Sequence, residues 1–355
     1  MKGLTRLIAA AVLPLLVLSL AACGGSSSGG SSSSAAAPAA GSGGNTMESY
    51  SWTAAMSVAD TTINYKIVRN FADSVKEKSG GKINVDVYTG GQLGNTTEFN
   101  QGVVAGSIDI GSGMTSDIVD FVPQAALFDI PNLFANVGIM RKVLQGEFMN
   151  VMNEYNKKGG IRMLGYADAG FRQLTSNKAV RKIADLSGQK IRVMTNPYHL
   201  AYWKALGANP VVMEFTEVFM GLKQGTIDGQ ENPYMNIVGN NMQEAQKFII
   251  ETNHVGHIIT FFMNNARYEG LPENVRALVD SCSSEAVAYG NAQADESIAG
   301  YKQTCVTAGC EIIVLPESEL AQFRSKAAVV SDMVREALGA ELVDTLQNEI
   351  RKAGG

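Results

Sequence analysis

Three polar side chains stand together in "GTIDGQENP", residues 225–233: Gln230, Glu231 and Asn232, with an Asp-Gly pair before them and Pro233 behind. Asn232 carries both an amide donor and an acceptor, on a backbone that the following proline restricts. Two arginines complete the set, Arg192 in "KIRV" and Arg172 in "GFRQ". A guanidinium is a planar fork that fits both oxygens of a carboxylate, which an ammonium cannot reproduce. Arginine beside a fixed amide is chemistry for holding an organic anion. Asp228 and Glu231 would repel an anion, so they are expected to cap and brace the turn. Catalytic chemistry has little support. There are three histidines, His199, His254 and His257. No H-E-x-x-H, P-loop or G-x-G-x-x-G pattern accompanies them. No Ser or Cys has an evident base and orienter. The match of "GSSSG" to the hydrolase elbow has no strand before it and no helix after it. No enzyme activity, no cofactor and no metal are expected.

A duplication shows which elements must position these groups. "GGKINV" at 80–85 matches "GQKIRV" at 188–193, and "EFNQGVVAGSIDI" at 98–110 matches "EVFMGLKQGTIDG" at 217–229. On this alignment Asn84 corresponds to Arg192, and Ile110-Gly111-Ser112 to Gly229-Gln230-Glu231. Each half reads as strand, helix, short strand. "KINVDVYT" alternates and is rich in β-branched residues. The helices "TTEFNQGVVAG" and "FTEVFMGLKQG" stop at Gly106 and Gly225, and "TTINYKIVRNFADSVKEKSGG" ends in lysine and glycine. Strands alternating with helices predict parallel sheets covered by helices. Two such α/β lobes leave a cleft, and ligands in open α/β sheets sit beyond the strands' carboxyl ends.

The N-terminus predicts where this happens. Lys2 and Arg6 precede an apolar run from Leu7 to Leu20 and then "LAAC" at 20–23. The run is shorter than the roughly 20 residues that span a bilayer. It reads as a secretory leader, residues 1–22. "LAAC" resembles a bacterial lipobox, which implies lipidation of Cys23 and anchoring at the periplasmic or extracellular face of a membrane. Residues 23–48, rich in Gly, Ser and Ala, are a flexible tether. Removing the leader moves the formal net charge from −5 to −7, which argues against nucleic acid as a partner. Of the cysteines left beyond Cys23, Cys305 and Cys310 are the expected pair, because Cys282 is placed far along the same helix as Cys305. The three have no zinc-like spacing.

"GFRQLTSNKAVRKIADLSGQKIRVM" at 170–194 and "ALGANPVVMEFTEVFMGLKQGTIDGQENP" at 205–233 resemble the extracytoplasmic solute receptors of tripartite ATP-independent periplasmic (TRAP) transporters. "PNLFAN", "GGQLG" and "ETNH" fit the same family, and the resemblance runs from about residue 50 to 350. It implies a type II periplasmic-binding-protein-like fold. Each lobe would be a mostly parallel sheet flanked by helices, with the long helix from Leu271 packing across both. The expected lobes are 49–168 with 258–300, and 169–257 with 301–355. The resemblance further implies an organic acid, a C4-dicarboxylate or a sugar acid such as a uronate, held by a salt bridge to Arg192. Arg172 would assist, Asn232 would hydrogen-bond near the carboxylate, and Phe215 would pack on the ligand. Met114, Thr96 and Ser57 would face it from first-lobe loops, and Asn196 and Asn236 from the second lobe. Tyr198 and Trp203 are candidates there too, with core packing as the alternative. The implied partners are the TRAP permease subunits in the membrane, with the receptor itself a monomer. A lipoprotein receptor feeding a signalling system is the other class considered, and a structural or adhesion lipoprotein a third.

Overall fold

The computed structural model describes residues 47–355. The expected leader, Cys23 and most of the tether lie outside the described residues. Within them the strands are β1 (Tyr50–Ala55), β2 (Ile83–Tyr88), β3 (Ile110–Met114), β4 (Ile161–Phe171), β5 (Gln173–Ser176), β6 (Lys190–Val193), β7 (Asn209–Val212), β8 (Gly229–Asn232), β9 (Phe248–Glu251), β10 (Gly256–Asn264) and β11 (Glu311–Val314). They form two sheets, ordered β2-β1-β3-β10-β4 and β11-β9-β5-β8-β6-β7. The pairs β1–β2, β1–β3, β6–β7, β6–β8 and β9–β11 are parallel. β10 and β5 run antiparallel to both of their neighbours. This is a two-lobe α/β fold with helices on the sheets.

The sheet orders correct one half of the sequence repeat. β3 and β8 correspond, as the second match predicts, but the first match paired β2 with β6. By order, β6 takes the place of β1 and β7 that of β2. The registers Ala55↔Gly111 and Arg192↔Gln230 therefore set Arg192 against Ala55, not Asn84. β2 and β6 share a Lys-Ile-x-Val pattern because both follow a glycine turn and bury the Ile and the Val, not because they are equivalent.

Local sequence explains the helices. Ile63–Lys78 buries Ile63, Ile67, Val68, Phe71, Ala72 and Val75 along one stripe and ends in Lys76 and Lys78, which suit the carbonyl end of the helix dipole. Asn95 caps Thr96–Ala105 through a reciprocal pair with Glu98. Gly106 (φ 81°) and Gly225 (φ 69°) end their helices in the left-handed conformation, as expected. The first turn of the second of these, Phe215–Glu217, is 3-10 rather than α. "GQEN" is not a turn: it is β8, buried between β5 and β6. Gly229 is required there, because a Cβ would lie 2.2 Å from the Thr175 carbonyl oxygen.

The chain crosses between the sheets at three places. β4 runs into β5 through Arg172, and β9 returns to β10 through Thr252–Val255. Helix Glu273–Thr307 packs on Ile63–Lys78 and β4, and also on Tyr234–Gly239. Of the C-terminal helices, Ala327–Leu338 packs on Pro197–Ala205, whereas Ala340–Lys352 packs on Val137–Leu144 and Phe148–Lys158, which cover β4. The segment assigned above to the second lobe thus touches both. Cys282, Cys305 and Cys310 are separate buried thiols. The expected Cys305–Cys310 pair is not formed, and Cys310 Sγ instead faces the carbonyl oxygens of Gln246 (3.2 Å) and Gln243 (3.4 Å).

Candidate functional site

Arg192 lies on β6 with neighbours on both sides, and its side chain is 2% exposed. Nε donates to the Met213 carbonyl at 2.8 Å. No carboxylate comes within 4.0 Å of it among the described residues. Its guanidinium lies 5.8 Å from the Phe215 ring centre, within reach of a cation–π contact. Burial lowers its pKa to about 10, with Glu231 opposing that shift and Arg172 adding to it. It therefore stays charged at neutral pH, a buried fork without an ion-pair partner. That is a costly arrangement unless something anionic meets it.

Arg172 has partners on every side. Nε and Nη2 bond the Glu231 carboxylate, and Nη2 also bonds the Glu231 carbonyl. Nη1 donates to His257 Nδ1 at 2.9 Å and lies 3.3 Å from Met114 Sδ. Both Arg172 and Glu231 are fully buried. Burial opposes ionisation of Glu231, but Arg172, His199 and His254 hold its carboxyl well below the usual range. Behind Glu231, His199 sits 3.5 Å from its carboxylate and 3.3 Å from that of Asp129. Burial alone would lower the His199 pKa, and the bonds to Asp129 and Glu231 outweigh it and push it up to about 9. His254 Nε2 is 3.0 Å from Glu231. His257 is pushed well below its ordinary value, first by burial and then by Arg172. Since Arg172 can only donate, His257 Nδ1 accepts.

The cavity in front of these groups lies between the sheets. It measures about 60 Å³, several times what one buried water takes on the same measure. Of the sequence-predicted residues, Arg192, Arg172, Asn232, Phe215, Met114, Thr96, Ser57 and Asn236 line it. Asn196 does not. It caps helix Pro197–Ala205 through the Tyr198 and His199 amides and donates to Asp129 at 2.8 Å. Its position therefore fixes the buried network rather than the cavity wall. Tyr198 and Trp203 are core residues. Met114 ends β3 and Thr96 starts a helix, so neither is a loop residue. Asn232 Nδ2 donates to Gln230 Oε1 at 2.6 Å, and its Oδ1 accepts from Asn236 Nδ2 at 3.1 Å. Asp228 braces the sheet by accepting from the Lys190 amide at 2.8 Å.

Sequence reasoning missed several lining residues, among them Asp117, Asn64, His257, Thr97 and Glu214. Asp117 is half-buried. Burial pushes its pKa up to about 6, against the Met114 amide and the two arginines. Thr97 and Glu214 meet across the cavity rim, Oγ1 donating to Oε1 at 3.0 Å. A signal for Asp117 was present. On the β3–β8 alignment Thr96 corresponds to Phe215, Gly113 to Asn232 and Asp117 to Asn236, and all six line the cavity.

A model of the family described as "Bacterial extracellular solute-binding protein, family 7" matches residues 54–337. The 2,3-diketo-L-gulonate-binding periplasmic protein YiaO of Escherichia coli is 30% identical over 67% of this chain and 73% of its own length. The sugar acid binding protein DctPAm of Advenella mimigardefordensis, solved with galactonate, superposes with a TM-score of 0.81 at 27% identity, over 86% of this chain and 99% of that one. A TRAP periplasmic solute binding protein of Sulfurospirillum deleyianum, solved with succinate, gives 0.80 at 28% identity, over 85% and 99%. With the family model spanning most of the two sheets and their cavity, the chain belongs to the bacterial extracellular solute-binding proteins of family 7, the TRAP solute receptors.

Proposed function

We propose that this chain is the lipid-anchored receptor of a TRAP secondary transporter, tethered through Cys23, and that it captures a small organic acid by closing two lobes on it. The lobes are 49–168 with 258–300, and 169–257 with 301–355, moving about the three crossings. The ligand carboxylate pairs with Arg192, while Phe215 packs on the ligand. Arg172, held by Glu231, sets the wall behind it and contributes field rather than a free fork. The observation that carries this reading is Arg192 itself: a buried guanidinium with one backbone partner, facing a cavity between sheets. Relatives of the same fold hold galactonate, succinate and β-D-glucuronate in their solved structures. Delivery to the membrane permease subunits follows from the family and needs no nucleotide at the receptor.

Removing one partner of a buried ion pair costs about 3–5 kcal/mol. Arg192→Ala should therefore weaken acid binding roughly a hundredfold to a thousandfold or more. Arg192→Lys should recover only part of this, because a point charge cannot make the fork. Calorimetric titration with organic acids checks both. Arg192→Ala affinity within threefold of the parent chain would defeat the proposal.

A further inference from the structure

The two arginines differ in what they leave for a ligand. Arg172 spends its donors on Glu231, His257 and Met114. His257 is neutral, so Arg192 is the one lining cation among the described residues without a carboxylate partner. Against it stand three lining carboxylates, Asp117, Asp120 and Glu214. Glu214 is engaged at the rim by Thr97 and Thr195, and Asp120 is exposed. Asp117 is the inner one. Its Oδ2 folds back to accept from the Met114 amide at 2.9 Å. A Cβ at Gly113 would lie 2.7 Å from that same oxygen, so the glycine makes the room.

Two further acceptors line the same cavity. Asn64 and Asn236 are 1% and 3% exposed. Both line the cavity, and Oδ1 of each has no hydrogen-bond partner in the protein. Their orientations are fixed by what the amides meet. Asn64 Nδ2 donates to the Gly113 carbonyl at 3.0 Å. Asn236 ends a one-way chain: Gln246 Nε2 donates to the Ala245 carbonyl, so Oε1 accepts from Thr175, which accepts from Gln230 Nε2, whose Oε1 accepts from Asn232, whose Oδ1 accepts from Asn236. Buried acceptors need donors. A carboxylate brings none; a hydroxyl brings one.

Resting on the carboxylate reading above, we propose that the ligand is a monocarboxylate bearing several hydroxyl groups. Its carboxylate sits on Arg192, its hydroxyls donate to Asp117, Asn64 and Asn236, and Asp117 rejects a second carboxylate. A site built to bond hydroxyls discriminates strongly against analogues that lack them, and a like charge set against the wrong ligand adds to that discrimination.

The test is a titration panel on the purified full chain. Galactonate and glucuronate are the hydroxylated monocarboxylates, galactarate adds a second carboxylate to the same skeleton, and succinate and butyrate lack hydroxyls. At least one of the first two should bind tenfold or more tighter than the other three. Asp117→Asn should bring galactarate to within threefold of galactonate. The inference is overturned if succinate or galactarate binds the parent chain as tightly as the hydroxylated monoacids, whatever the variant does. It is also overturned if Asp117→Asn folds and leaves the gap unchanged. Binding of none of the five by a cooperatively melting chain would overturn the carboxylate reading itself, and this inference with it.

Discussion

Arg192 and Arg172 carry the same charge in the same cavity wall and do different things, and the difference is Glu231. A buried arginine that meets a carboxylate, a histidine and a carbonyl is part of the frame. One that meets only a carbonyl is half of an unfinished pair. Behind the frame His199 bridges Asp129 and Glu231, and its charge has a consequence for stability. Its folded pKa of about 9 lies above the ordinary 6.5. Between those values the folded chain keeps a proton that the unfolded chain has lost. The contribution is therefore full below about pH 6.5 and falls as pH rises to 9, by roughly 3 kcal/mol in all. His254 and His257 are shifted the other way. They act in the opposite sense as pH falls below about 6.5, so the slope is read above that value. Urea midpoints measured from pH 6.5 to 9 should decline for the parent chain and stay nearly flat for His199→Gln. Equal slopes in the two chains would show that His199 is not the protonated bridge.

At the scale of elements, two short crossings place the chemistry. β4 and β5 are one strand interrupted at Arg172, whose amide bonds the Val255 carbonyl of the returning crossing at 2.9 Å. The backbone of the crossing and the wall of the cavity thus share Arg172. Across the cavity rim, Glu214 on the second lobe accepts from Thr97 on the first. That latch is partly exposed, so it is worth about 1 kcal/mol rather than the 1.5–3 of a buried charged hydrogen bond. Glu214→Ala should raise the ligand off-rate about fivefold and leave the on-rate nearly unchanged, as stopped-flow measurement would show. An unchanged off-rate would mean that the rim contact does not hold the lobes together. The elements that the sequence announced best were those with local chemistry: the glycine stops at 106 and 225, and the alternating β2. β8 was misread because Asp-Gly and Pro-bounded polar residues imitate a turn, whereas Gln230 and Glu231 take side-chain partners distant in sequence, Thr175 and Arg172. The partners of Glu231 lie 23 to 59 residues away, so no spacing rule could reveal them. Asp117 was hidden for another reason: its match to Asn236 lies past the end of the repeat at 110 and 229, where the residues no longer resemble each other.

At the scale of the whole molecule, the question is whether two lobes unfold as one body. One hydrophobic cluster contains Ile258 of β10 together with Leu174, Ile191, Ile250 and Ile313 of the second sheet. It takes in Phe128, Trp203, Val334 and Leu346 as well. Apolar burial is cooperative when side chains of both units fill one close-packed space. The long helix packs on β4 and on Tyr234–Gly239, and the C-terminal helices pack on Pro197–Ala205, Val137–Leu144 and Phe148–Lys158, helices that flank the two sheets. Loss of one lobe would expose the cluster of the other, so partial unfolding gains little entropy for the surface it uncovers. The chain should therefore melt in a single calorimetric transition. A ligand that closes the lobes binds only the folded chain, and at a hundred times its dissociation constant it adds about 2.7 kcal/mol. For a chain of this size that raises Tm by several degrees. The whole transition should move upward with a binding acid, the urea slope should stay constant because the same surface is exposed, and Arg192→Ala should remove the shift without splitting the peak. Two resolved transitions, with the acid moving only one, would show that the shared cluster does not couple the lobes. Closure would then be the meeting of two independently stable bodies.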